Sequence, residues 1–139
     1  MFKDNLLESK TIIITGGGTG LGKSMARRFG ELGANIVISG RRKEVLEETA
    51  EEFTQKGIDV ITCPGDVRKI EDVELMLKQT KEKFGTINAL LNNAAGNFIS
   101  PTEMLSQNAF KAVIDIVLMG TWNCTCLLYT SDAADDQLG

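Results

Sequence analysis

The chain has 139 residues, 42% apolar and 24% charged, enough for one domain, or part of one, with a buried core. Its net charge of −4 argues against nucleic acid or an anionic membrane as the main partner. It has no histidine, which excludes Ser-His-Asp and Cys-His catalysis, and Cys63, Cys124 and Cys126 make neither a disulfide framework nor a metal-ligand set.

That cysteine usage points to a reducing, cytoplasmic setting. The first ten residues hold no apolar core of signal-peptide length, and no later run reads as a membrane span. Thr11-Ile12-Ile13-Ile14 is β-branched without alternation, the pattern of a strand buried on both faces. A glycine-rich loop follows, then a helix on which Leu21, Met25, Phe29 and Leu32 form the apolar stripe, ended by Gly33. Asn35-Ile36-Val37-Ile38-Ser39 predicts a second strand, and residues 43–56 a helix with Leu46, Ala50 and Phe53 on its inner face, stopped by Gly57. Val60-Ile61-Thr62-Cys63 is a third strand, punctuated by Pro64-Gly65. Residues 70–84 predict a helix with Val73, Leu77 and Phe84 on one stripe, closed by Gly85, and Ala89-Leu90-Leu91 a fourth strand. Ser106 caps a last helix whose inner face includes Phe110, Val113, Val117 and Thr121. Alternating strands and helices define an α/β class with a doubly wound parallel sheet, and right-handed crossovers give these four strands the order 3-2-1-4.

Residues 16 to 22 contain five glycines and fit two phosphate-binding patterns. Both work by letting backbone N–H groups approach an anion at the positive end of a helix. As Gly17-x4-Gly22-Lys23-Ser24 the loop matches a triphosphate-binding P-loop; as Thr15-Gly16-x3-Gly20-x-Gly22 it matches a dinucleotide turn. A P-loop enzyme needs an Asp ending another apolar strand to hold magnesium. No strand here ends so: the fourth runs into Asn92-Asn93, and Asp66 lies beyond Pro64. The dinucleotide reading looks to the end of the second strand, where NAD enzymes place a carboxylate against the ribose. Here stand Ser39-Gly40-Arg41-Arg42. A guanidinium grips a 2′-phosphate with charge-assisted bonds, and cations opening a helix oppose its dipole, so Arg41 favours NADP(H) over NAD(H).

With Thr15-Gly16-x3-Gly20-x-Gly22, Asp66-Val67 after the third strand and Asn92-Asn93-Ala94-Ala95-Gly96 after the fourth, the chain resembles the short-chain dehydrogenase/reductase family over residues 9–125. Residues 92–103, NNAAGNFISPTE, continuing to Asp115-Ile116-Val117-Leu118, resemble the 2,4-dienoyl-CoA reductases of that family. This resemblance implies NADPH-dependent reduction of a 2,4-dienoyl-CoA to a 3-enoyl-CoA in the degradation of unsaturated fatty acids. Hydride enters at the δ carbon, and charge collects on the thioester oxygen, where fixed hydrogen-bond donors are needed. It also implies that Asn97 is one such catalytic donor, and that Arg68, Phe98 and Ser106 line the acyl-CoA site. For Phe98 a core role, and for Ser106 the helix cap, stand as alternatives. Gly16, Gly18, Thr19, Gly20, Leu21 and Arg41 fall at the family's nucleotide site, Asp66 and Val67 at its adenine position, and Asn92 at a cofactor contact made through strand-end backbone. No metal is implied, and family members are usually homo-oligomers.

The family's catalytic Ser and Tyr-x-x-x-Lys belong to a following strand and helix, beyond residue 139. Tyr129 is not that tyrosine, because Ala133 stands where the lysine belongs. Residues 126–136, CLLYTSDAADD, depart from the family pattern and look like a translated transposase adapter. The expected organisation is thus residues 1–125 as the N-terminal part of a Rossmann-type reductase domain and 126–139 as a non-native tail. Two other readings stand beside the dienoyl-CoA reductase: a short-chain reductase acting on a ketoacyl or sugar substrate, and a non-catalytic NADP-binding module.

Overall fold

A computed structural model describes residues 2–136, with side chains as far as Ser131. Strands β1 (Thr11–Thr15), β2 (Asn35–Gly40), β3 (Val60–Pro64) and β4 (Ala89–Leu91) alternate with helices α1 (Gly20–Glu31), α2 (Lys43–Gln55) and α3 (Ile70–Phe84). The four strands form one parallel sheet in the order β3-β2-β1-β4, the doubly wound α/β arrangement that the sequence predicts. Register aligns Ile12 with Ile36 and Ala89, and Ile36 with Val60.

Strand alternation divides the isoleucines between two cores. Ile12, Ile14, Ile36 and Ile38 lie under α1 and α2 with Ala26, Leu46, Phe53 and Ile58. Ile13 and Val37 face the other way, against Val73, Met76 and Leu77 of α3 and Cys124 of the last helix. Each fully buried Ile or Phe contributes about 1.5–3 kcal/mol relative to exposure, and both helical layers stand on this β-branched floor.

Two predicted faces are corrected. On α1 the buried residues are Gly22, Ala26 and Gly30; of the predicted stripe Leu21 is exposed and Met25 half-buried, whereas Phe29 packs half-buried on the core and Leu32 is buried just past the helix. Small residues win that face because the helix lies close to its neighbours. A Cβ on Gly30 would stand 2.4 Å from Ile58 Cγ2, and one on Gly22 2.4 Å from the Gly16 carbonyl oxygen.

The last helix is continuous: α4 (Gln107–Ile114), a π-helical turn (Asp115–Met119) and α5 (Gly120–Asp136). Its predicted inner residues Phe110, Val117 and Thr121 are exposed. Gly120, Asn123 and Cys124 face the protein instead, because the π-turn inserts a residue and shifts the helical phase. The expectation that no segment is long and apolar enough for a membrane span is also corrected. The stretch Gln107–Ser131 forms a 25-residue helix in which an 18-residue window reaches mean hydropathy 1.5. Its interspersed polar residues break up the apolar runs in sequence but leave the average high. By length and composition it is a weak candidate, and one of its sides packs on the sheet.

Candidate functional site

The carboxyl ends of all four strands open on one side, where the order reverses between β1 and β4, the place where such sheets bind ligands. Gly16, at φ 67°, turns the chain sharply out of β1 in a conformation that side chains disfavour. The N–H groups of Gly16 and Gly17 donate to the Ser39 carbonyl at 2.8 and 3.2 Å, tying the loop to β2. Buried Thr15 ties it to the segment after β4: its hydroxyl oxygen accepts from Asn93 N and Ala94 N, both at 3.0 Å. Asn93 Nδ2 donates in turn to the Gly16 carbonyl at 3.2 Å. From α2, the buried hydroxyl of Thr49 donates to the Gly18 carbonyl at 2.8 Å.

The loop, so held, floors a cleft of about 300 Å³. Gly16, Gly18 and Thr19 line it from the loop, Ser39, Gly40, Arg41 and Arg42 from the end of β2, and Gly65, Asp66 and Val67 from the end of β3. Ala94, Ala95 and Ile116 complete its wall, and Val45 and Leu46 add apolar surface. Arg41 and Arg42 form no ion pair with any described residue. Lys23 behaves differently: its Nζ lies 2.6 Å from Glu52 Oε2, and it does not line the cleft. The P-loop reading is therefore without its phosphate-binding lysine.

Asp66 is the best-supported polar group here. Its carboxylate is forked by Arg68, and its own N–H donates to Asp72 Oδ2 at 2.8 Å. The Arg68 hydrogen bond, reinforced by the charges of Arg68 and Arg41, holds the Asp66 carboxyl below the usual carboxylate range. The Val67 carbonyl accepts from Asn123 Nδ2 at 2.9 Å, so α5 also braces this turn. Burial pushes the thiols of Cys63 and Cys124 up to about 11, so both are protonated near neutrality.

Of the residues singled out from sequence, the fold brings Gly16, Gly18, Thr19, Arg41, Asp66 and Val67 to one cleft. Gly20 and Leu21 open α1 without lining it, and Arg68 stands behind Asp66. Asn92 donates from Nδ2 to Thr125 Oγ1 at 3.1 Å. Asn97 and Phe98 lie in the irregular segment after β4, both exposed and outside the cleft wall. Ser106 is the N-cap of α4, its hydroxyl accepting from Ala109 N at 3.1 Å. Sequence reasoning missed Thr15, Thr49, Asp72, Asn93 and Asn123 as supports of the site. Thr49 left a faint signal, a small polar residue beside Leu46 and Phe53 on the inner face of α2.

A family model described as short chain dehydrogenase matches residues 10–135, and the chain belongs to that family. It is 46% identical over 119 residues to the probable 2,4-dienoyl-CoA reductase, (2E)-enoyl-CoA-producing, of Bacillus subtilis (strain 168), covering 86% of this chain and 47% of that protein. It is 43% identical over 122 residues to the peroxisomal 2,4-dienoyl-CoA reductase, (3E)-enoyl-CoA-producing, of Arabidopsis thaliana, covering 88% of this chain and 41% of the relative. The crystal structure of a short chain dehydrogenase from Bacillus anthracis superposes with a TM-score of 0.88 at 46% identity, over 93% of this chain and 54% of that one. The chain thus spans about half the length of the relatives it matches.

Proposed function

We propose that the protein to which this chain belongs reduces 2,4-dienoyl-CoA thioesters with NADPH, in the degradation of unsaturated fatty acids. The substrate class rests on the identity of 43–46% to proteins named 2,4-dienoyl-CoA reductase. The nucleotide class rests on one observation: Arg41 and Arg42, neither in an ion pair with any described residue, border the cleft at the end of β2. The cleft fits such a cofactor, since its floor is bare of side chains at Gly16, Gly18, Gly40 and Gly65. In this reading Gly16, Gly18, Thr19, Gly20 and Leu21 bind the pyrophosphate, Arg41 grips the 2′-phosphate, and Asn92 meets the cofactor through its backbone. Asp66 and the Val67 N–H, which donates to no described residue, take the adenine edge. Bound there, NADPH supplies hydride. Asn97 donates a hydrogen bond where negative charge develops on the thioester oxygen, and Phe98 and Ser106 flank the acyl chain. The catalytic Ser, Tyr and Lys belong to sequence this chain does not contain, and residues 126–139 are a non-native tail, which the nucleotide sequence of the gene tests directly.

For the whole protein we assign a homo-oligomer in the cytoplasm, with no nucleic acid or membrane partner. The exposed apolar side of α4 and α5 supports the assembly. The cofactor assignment is tested by titrating the 139-residue chain with NADPH and NADH. NADPH binds about tenfold or more tightly, and R41A removes that preference by losing one phosphate fork. Equal affinities in the unaltered chain sink the assignment. Assays of the full-length gene product with dienoyl-CoA and 3-ketoacyl-CoA separate this activity from other short-chain reductases, and the position of the product double bond distinguishes the two product types borne by its relatives' names.

A further inference from the structure

The turn after β3 is built more tightly than a simple cofactor contact requires. Asp66 Oδ1 accepts from Arg68 N at 3.0 Å and from Arg68 Nε at 2.9 Å. Its Oδ2 accepts from Nε at 3.0 Å and from Nη2 at 2.6 Å. A carboxylate offers about four acceptor positions, and three N–H groups of one arginine occupy most of them. The same fork locks the carboxylate's rotamer. From the other side Asp72 holds the Asp66 N–H, and Asn123 holds the Val67 carbonyl. Asp66 and Val67 both line the cleft, where Asp66 keeps about one acceptor position and the Val67 N–H donates to no described residue.

An acceptor beside a donor matches the edge of a 6-aminopurine, which offers an N6–H donor beside the N1 acceptor. A 6-oxopurine offers the reverse, an O6 acceptor beside an N1–H donor. The resemblance of this chain to its family assigns Arg68 to the acyl-CoA site, but here its fork is engaged by Asp66. We propose that Arg68 is a positioning residue for base discrimination: by fixing the Asp66 carboxylate against the Val67 N–H, it makes the cleft accept adenine and reject 6-oxopurines. This inference rests on the nucleotide reading of the cleft and adds to it a residue that acts through another.

The test compares binding of NADPH with that of its deaminated analogue, reduced nicotinamide hypoxanthine dinucleotide phosphate, followed by nicotinamide fluorescence in the 139-residue chain. The unaltered chain prefers NADPH by about tenfold or more, because a mismatched edge leaves polar groups unpaired. R68Q, verified as folded by circular dichroism, shrinks that ratio by weakening NADPH selectively. R68K keeps the charge without the planar fork and falls between; if R68Q does not fold, R68K alone carries the comparison. Equal weakening of both nucleotides, or an unchanged ratio, overturns the proposal and leaves Arg68 a general structural or acyl-CoA role. Equal binding of the two nucleotides by the unaltered chain also overturns it. Failure of the unaltered chain to bind either one removes the nucleotide reading itself.

Discussion

The hydroxyl of Thr49 illustrates how one atom shapes the site. It is buried and donates to the Gly18 carbonyl, so α2 and the glycine loop move together. Thr49→Val keeps the shape and leaves that carbonyl unpartnered, a loss of about 1–3 kcal/mol. Urea unfolding should show that loss together with weaker NADPH binding; an unchanged midpoint would remove Thr49 from the support of the loop. Asp66 makes a pH-dependent contribution. Its carboxyl is lowered in the fold by Arg68, so its stabilisation is complete above the unfolded carboxyl value, about 3.9, and disappears as pH falls through the lowered folded value. The stability gap between the unaltered chain and D66N is therefore wide near pH 6 and closes below about pH 4. Urea midpoints across that range measure it, and a gap that persists at low pH would contradict the assignment.

Among elements, α1 and the long last helix depart most from their apolar patterns. On α1 the large residues at helical spacing suggested the inner face, yet Gly22, Ala26 and Gly30 occupy it because close approach excludes a Cβ at two of them. The pattern read from residue size failed where backbone proximity mattered more. On the last helix Phe110, Val117, Leu118 and Trp122 are exposed, and the π-turn shifts the phase of the residues that follow it. An exposed apolar strip of this kind marks a protein or membrane contact or an aggregation liability, and in the homo-oligomer proposed above it would meet a second copy of the chain. Trp122→Glu should convert an associating chain to monomer in sedimentation at micromolar concentration. A monomeric unaltered chain, or flotation with liposomes, would refute that assignment.

At the scale of the whole molecule, the loop after β1, the ends of β2 and β3 and the segment after β4 converge on one crevice where the strand order reverses between β1 and β4. Thr15 and Asn93, 78 residues apart, join across that point. Every residue lining this cleft lies within the described chain, whereas the proposed chemistry draws on residues outside it. We expect the 139-residue chain to bind NADPH and to show no dienoyl-CoA-dependent NADPH oxidation above background. Measurable turnover by the purified chain would overturn the placement of the catalytic Ser, Tyr and Lys elsewhere. β4 is also an edge strand in the described sheet, with exposed or half-buried residues, so aggregation should limit the concentration at which these measurements work.

Strand order, strand positions and the crevice were legible in the chain itself. β-Branched runs separated by amphipathic helices leave one right-handed way to wind, and Gly16, Arg41 and Asp66 sit at strand ends whose positions follow from that winding. Local composition suffices for such features because each depends on a short stretch and its immediate neighbours. The supports of the site were not legible. Thr15 with Asn93, Thr49 with Gly18, and Asn123 with Val67 are hydrogen bonds between residues 31 to 78 apart in sequence. Their partners are chosen by packing, and a polar residue shows no periodic signal of its own. The inner face of α1 and the phase of the last helix were likewise decided only in three dimensions, where a missing Cβ and one inserted residue determine which side meets the sheet.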